Sequence, residues 1–136
     1  MDISPATRDQ LIAAAHQATK HAHAPYSNFF VGAALLTADG KIFSGCNVEN
    51  ASYGLTICAE RNAIFAAVAA SNVIPQGKIA IQAIAVVNAQ SVPCSPCGAC
   101  RQVIAEFGKD ILVYYQGSHG IKQSTIAELL PDSFSL

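Results

Sequence analysis

Charge is what this sequence has least of. Charged residues fill 12% of its 136 positions, about half the ordinary share, and the formal net charge is -1. No run of Lys or Arg appears. A phosphate backbone is thereby excluded as a principal partner, because displacing its counterions takes clustered cations. A substrate suited to this chain is small and close to neutral.

Long apolar runs are missing too. The longest uncharged stretch, residues 79–100, is interrupted by Gln82, Asn88, Gln90, two Ser and two Pro, so it does not read as a membrane-spanning helix. The opening Met1-Asp2-Ile3-Ser4-Pro5 carries an acid and no apolar core of a signal peptide. No linker, repeat or low-complexity segment stands out, and the length suits one domain over residues 1–136. The five cysteines are odd in number, which argues against a disulfide framework. A reducing cytoplasm is the expected compartment, where clustered thiols bind metal. Hydrophobic residues reach 51%; with so little charge, this predicts a subunit that buries surface against copies of itself.

What is present is order. Ser4-Pro5 pairs an N-cap with Pro at the first helical position, and Leu11, Ile12, Ala15 and Ala18 continue at helical spacing to about residue 20. Strand-like runs at 30–37 and 41–48 flank Ala38-Asp39-Gly40, a hairpin signal. An alanine-rich helix is expected over 57–70, closed by a segment containing Pro75 and Gly77, and a strand over 79–87. Ser95-Pro96 repeats the cap-and-proline pattern, which predicts a helix over 96–107 ended by Gly108. Strands follow at 111–115 and 121–124. Their connection is too short for a parallel crossover, so they should pair antiparallel. Thr125-Ile126-Ala127-Glu128 fits a capping box for a last short helix. Strands interleaved with helices predict a three-layer α/β/α sandwich around a mixed five-stranded sheet.

The chemistry concentrates in two short pieces, Cys58-Ala59-Glu60-Arg61 and Pro96-Cys97-Gly98-Ala99-Cys100-Arg101. Both are expected to open helices, where free N–H groups and the helix dipole favour thiolates. Cys58, Cys97 and Cys100 in first turns would offer three ligands and leave the fourth tetrahedral position of a zinc ion open, as in catalytic sites. Glu60 is near enough to move protons without being a ligand. Such a pair suits hydrolytic replacement of an amino group on a ring. Three thiolates around zinc leave a formal charge of -1; Arg61, three residues after Cys58, is the first candidate to offset it, and Arg101 the second.

Longer blocks extend the pattern. Tyr26-Ser27-Asn28-Phe29-Phe30-Val31-Gly32-Ala33-Ala34, Gly45-Cys46-Asn47-Val48-Glu49-Asn50-Ala51-Ser52-Tyr53-Gly54, the two cysteine pieces and Glu128-Leu129-Leu130-Pro131 resemble the cytidine deaminase family of pyrimidine salvage. The likeness is to its small, homotetrameric, three-cysteine zinc type. It implies one Zn2+ per chain on Cys58, Cys97 and Cys100, with Glu60 as proton shuttle. It implies that Asn47 and Glu49 hold the ribose hydroxyls, a sensible pairing if the two share one face of a strand. Phe29 would stack near the base and Ala59 would belong to the substrate pocket. Ala51, Tyr53 and Phe134 match positions that complete the pocket from neighbouring subunits. The implied reaction adds a metal-activated water to C4 of cytosine. Glu60 protonates N3 and then the departing amino group, so that ammonia leaves and uridine remains; deoxycytidine would react alike.

Blander readings stand beside these. Three buried free thiols, or a closed structural zinc with Cys94 as fourth ligand, would use the same cysteines. Pro93-Cys94-Ser95-Pro96-Cys97 also fits Pro-Cys-x-x-Cys, yet Cys94 lies before the expected helix; it and Cys46 read as small packing residues. His16, His21, His23 and His119 lack ligand spacing. A blasticidin-type deaminase shares the cysteine pieces, but the Asn47 to Ala51 block favours a plain nucleoside. A polynucleotide-editing enzyme is disfavoured by the charge balance and the absence of Trp. A non-catalytic zinc or thiol-redox module would have no use for Glu60.

Overall fold

Ser4 starts the first helix as its sequence suggests: its hydroxyl accepts the Thr7 N–H at 3.1 Å, with Pro5 at the first helical position. The computed structural model describes residues 2–71 and 77–136. Along them run α1 (Pro5–Ala18), β1 (Val31–Thr37), β2 (Ile42–Cys46), α2 (Ala59–Ala70), β3 (Ile81–Asn88), α3 (Gly98–Ala105), β4 (Leu112–Gly117), β5 (Gly120–Thr125) and α4 (Ile126–Leu129). Short 3₁₀ turns occupy Thr19–His21 and Tyr53–Leu55. Pro75, expected to help close α2, lies outside the described residues.

The sheet is mixed and five-stranded, in the order β2-β1-β3-β4-β5. Only β3 and β4 run parallel, joined by the crossover through α3; the other neighbours are antiparallel, β4 and β5 among them. The first hairpin turns at Gly40, whose φ of +86° suits a residue without a Cβ, and its N–H reaches the Thr37 carbonyl at 3.0 Å. The capping box is formed: Thr125 and Glu128 bond each other's backbone at the start of α4.

Alternation along the central strands divides the molecule into layers. Ala34, Leu36, Ala83, Ala85, Val87, Leu112 and Tyr114 pack with Leu11 and Ala15 of α1. Their neighbours in sequence, Ala33, Leu35, Ile84, Val86, Val113 and Tyr115, pack with Ala63 and Ile64 of α2, Ile104 of α3 and Ile126 of α4. Both faces of the strands are therefore apolar, which explains their near-continuous hydrophobic runs. Each large side chain fully buried this way contributes about 1.5–3 kcal/mol. The three-layer α/β/α arrangement expected from the sequence is the one observed.

Two glycines set how closely helices lie on the sheet. A Cβ on Gly45 would fall 2.4 Å from the Ala63 nitrogen and 2.8 Å from the Ala59 carbonyl oxygen. One on Gly32 would fall 2.0 Å from the Ala15 carbonyl oxygen. Backbone-to-backbone contact at Gly45 presses the start of α2, and with it Glu60, onto β2.

Helix starts differ from expectation in one respect that matters. Ser95 is not the cap of α3 and Pro96 is not inside it. Cys97 is the cap, extended at φ -67° and ψ 165°, with its sulfur accepting the Cys100 N–H at 3.5 Å. Cys58 likewise caps α2 at φ -71° and ψ 157°. Two of the three thiols thus stand at helix caps, and only Cys100 lies in a first turn.

Candidate metal centre and active site

The sulfur atoms of Cys58, Cys97 and Cys100 all lie within 4.8 Å of one another. Cys58 and Cys97 are 3.9 Å apart. Tetrahedral thiolates about 2.3 Å from zinc stand roughly 3.8 Å from each other, so the Cys58–Cys97 pair already has the separation of two zinc ligands. The cluster is graded in exposure, with Cys100 buried, Cys58 half-buried and Cys97 exposed. Its open side is where a fourth ligand would enter.

The electrostatics of this corner favour a thiolate at Cys58. Hydrogen bonding from Cys100 foremost, then from Arg61 and Cys97, drives the Cys58 thiol down to about 5. The same Cys58–Cys100 bond, followed by burial, pushes the Cys100 thiol up; coordination to a metal deprotonates such a thiol outright. Arg61 donates from Nη2 to Cys58 Sγ at 3.4 Å. Among the described residues, Arg61 Nε is a buried nitrogen without a hydrogen-bond partner, so part of this guanidinium's charge is left for the cluster.

Arg101 is engaged elsewhere. Its Nε donates to the Pro96 carbonyl at 2.8 Å, Nη1 to the Leu129 carbonyl at 2.9 Å and Nη2 to Ser95 Oγ at 3.1 Å. It ties the approach to α3 onto α4, and the charge facing Cys58 is that of Arg61.

Glu60 follows the cap of α2 by two residues and is 4% exposed. Burial pushes its carboxyl above the usual range, and the Cys58 thiolate adds to that push. A buried carboxyl that holds a proton readily beside a metal site is equipped to carry one between water and substrate. Ala59 packs its side chain into the core. Only its main chain is left to meet a ligand, and at the first helical position its N–H has no partner within the helix.

Asn47 and Glu49 lie past the end of β2, not on it. Val48 between them forms isolated bridges with His23 and Ile57. The two Val48–Ile57 bonds, each 3.0 Å, place this pair beside the residue that precedes Cys58. Both side chains already hold backbone. Asn47 donates to the Phe29 carbonyl at 2.8 Å and accepts the Val31 N–H at 2.9 Å. Glu49 Oε1 accepts the N–H groups of Tyr26 at 3.0 Å and Ser27 at 3.2 Å, and Oε2 accepts the Ser27 hydroxyl. The Ser27 hydrogen bond, with help from these N–H groups, holds the Glu49 carboxyl below the usual range. Phe29, Asn47 and Glu49 are thus one unit, with Ser27 as a member that motif spacing did not single out. Tyr26, Ser27, Glu49, Tyr53 and Thr56 line a cavity of about 350 Å³ on that side.

Asn62 was also outside the expected set. Its Nδ2 donates to the Cys46 carbonyl at 2.8 Å, tying the end of β2 to α2. An amide in an otherwise alanine-rich helix is the signal for it. Ala51, Tyr53 and Phe134 are exposed, Tyr53 by 76% and Phe134 by 70%. Within their own chain, Tyr53 lines a cavity beside Glu49, and the Phe134 carbonyl accepts Gln102 Nε2 of α3 at 3.0 Å. Cys94 is not among the clustered thiols; its N–H pairs with the Gln116 carbonyl at 2.9 Å.

A buried carboxyl group set against three thiolates, on a mixed sheet of this kind, is the arrangement of the zinc-dependent deaminases. Residues 5–116 match the family model described as the cytidine and deoxycytidylate deaminase zinc-binding region. The cytidine deaminase of Sporosarcina psychrophila is 49% identical over 129 residues, covering 93% of this chain and 90% of that protein. Among solved structures, the cytidine deaminase of Burkholderia pseudomallei aligns with a TM-score of 0.82 at 52% identity, covering 93% of this chain and 98% of that one. The cytidine deaminase of Mycobacterium tuberculosis aligns with the same TM-score, 0.82, at 38% identity over 99% and 100%. The chain belongs to the cytidine and deoxycytidylate deaminase family.

Proposed function

We propose that this protein hydrolyses the 4-amino group of cytidine and deoxycytidine, yielding uridine or deoxyuridine and ammonia, and serves pyrimidine salvage in the cytoplasm as a single-domain subunit of a homotetramer. The observation that carries this reading is the buried Glu60 two residues from Cys58 at an open three-thiolate site. Cys58, Cys97 and Cys100 would hold the zinc, which when bound would supply a water activated at neutral pH for attack on C4 of the base. Glu60 takes one proton of the attacking water and delivers it to N3; it then takes the proton left on the added hydroxyl and passes it to the departing amino group, so that C4=O forms as ammonia leaves. Arg61 offsets the excess negative charge of the thiolates.

Binding falls to the neighbouring unit. Phe29 stacks near the base, and the main chain of Ala59 contacts it. Asn47 and Glu49 receive the ribose hydroxyls, each with hydrogen-bonding capacity beyond its contacts within the chain: Asn47 has a second N–H and a second lone pair, and Glu49 keeps an acceptor site on Oε2. Ala51, Tyr53 and Phe134 reach the site of an adjacent copy, which is supported by their exposure. The outer face of α2, with Phe65 49% and Val68 46% exposed, gives further apolar area for association. Among the described residues, no helix is long and apolar enough to cross a membrane.

An absorbance assay with cytidine and with deoxycytidine, run beside a zinc count per chain and sedimentation of the purified protein, tests the reading. Loss of the amino-pyrimidine absorbance at one zinc per chain is the expected result. No ammonia from either nucleoside at full zinc loading would overturn it.

A further inference from the structure

Both peptide units that flank Phe29 are held by hydrogen bonds. In the unit before it, the Phe29 N–H donates to Ser27 Oγ at 3.0 Å while the Asn28 carbonyl accepts Gln90 Nε2 at 2.8 Å. In the unit after it, the Phe29 carbonyl accepts Asn47 Nδ2 at 2.8 Å. Fixing the planes on either side of one residue fixes its φ and ψ, and with them the range of directions open to its side chain. Asn28, just before it, takes a φ of +56°, in the left-handed region that Asn adopts more readily than most residues.

Two of these three bonds come from the unit already assigned to the ribose. The third comes from a segment 62 residues away that the proposed reaction does not otherwise use. That segment is itself well formed. Asn88, 1% exposed at the end of β3, donates from Nδ2 to the Val92 carbonyl at 2.8 Å and accepts the Val92 N–H at 3.0 Å. Ser91 takes a φ of +55°, and the Ala89 N–H reaches the Phe30 carbonyl at 2.9 Å. The turn is closed by its own side chain and docked on the Phe29 segment, so Gln90 is presented to Asn28 from a rigid base.

We propose that Gln90 is a positioning residue for nucleoside binding, the hydrogen bond from its side-chain amide to the Asn28 carbonyl setting the orientation of Phe29. The inference rests on the base-side role of Phe29 proposed above. Gln90 is exposed and donates to a surface carbonyl. Removing it leaves the buried core and the metal corner untouched, so its effect falls on substrate affinity.

Steady-state kinetics with cytidine on the zinc-loaded protein test this, with melting temperatures measured alongside. Gln90→Ala and Gln90→Glu, which lack the donor, are expected to raise KM roughly 3- to 10-fold, the worth of one neutral hydrogen bond. Their kcat should stay within about twofold of the parent, with melting temperature and zinc content unchanged. Gln90→Lys keeps an N–H donor on a flexible stem and should recover most of the loss. Phe29→Leu should raise KM as well, and Gln90→Ala added to it should have little further effect. Unchanged KM in Gln90→Ala and Gln90→Glu, with Phe29→Leu impaired, overturns the role of Gln90 alone. An equal Gln90→Ala effect in both backgrounds overturns it too, as does a parallel fall in kcat and melting temperature. If Phe29→Leu itself leaves KM unchanged, the base-side reading fails first and takes this inference with it.

Discussion

Arg61 and Cys58 are joined across the first turn of α2, Nη2 to Sγ at 3.4 Å. Arg61 stands three residues past the cap of α2, the station that Cys100 holds in α3. One helix start therefore contributes a thiol and a guanidinium, the other two thiols. Removing the countercharge should leave three donors for zinc but make the metal a poorer activator of water. Arg61→Ala is expected to lower kcat about 10- to 100-fold, the worth of a hydrogen bond between charged groups, with zinc near one per chain. Unchanged turnover in the zinc-replete variant would sink the assignment.

Glu60, the proposed proton carrier, is not among the clustered metal donors. Glu60→Gln keeps its shape and removes its acid–base function, so kcat should fall by about 10²- to 10⁴-fold while the zinc count holds. Zinc retained together with full activity would show that the proton moves by another route.

The fourth thiol near the motif separates a three-ligand from a four-ligand centre. Cys94→Ala should keep both zinc and turnover, because Cys94 stands apart from the cluster of Cys58, Cys97 and Cys100. Cys100→Ala should lose most of its metal on gel filtration, and a chelator should inactivate the parent with recovery on added zinc. Metal loss from Cys94→Ala equal to that from Cys100→Ala would point to a closed structural site.

Gly45→Ala probes how the fold serves the site. The added methyl would meet the Ala63 nitrogen at 2.4 Å, main chain that cannot swing aside. Moving α2 off β2 should cost about 1–3 kcal/mol of stability and displace Cys58 and Glu60 together. Denaturant unfolding and kcat should both show it. A variant as stable and active as the parent would mean that α2 shifts without consequence.

Much of this was legible in the residues. The strand-like runs, the Ser4-Pro5 start, the Thr125–Glu128 box and the hairpin at Gly40 each follow from interactions within a few positions, and each is found. Ser95-Pro96 misled because the same pattern marks a helix start in two ways. Here Ser95 Oγ accepts Arg101 and the sulfur of Cys97 caps the helix instead. A thiol as cap is uncommon enough that spacing alone favours the serine.

By itself, the sequence determined the donor set, the acid beside it, the order of strands and helices and the low net charge. These depend on residue type and on periods of two to four residues, which the chain carries locally. Only the tertiary structure decided that Arg61 and not Arg101 faces the thiolates, that Asn47 and Glu49 hold the Phe29 loop from beyond the strand, and that Gln90 reaches Asn28. Those are choices of partner between segments far apart in the chain, and they are made when packing α2 and the loops onto the sheet brings one donor, among several, within reach.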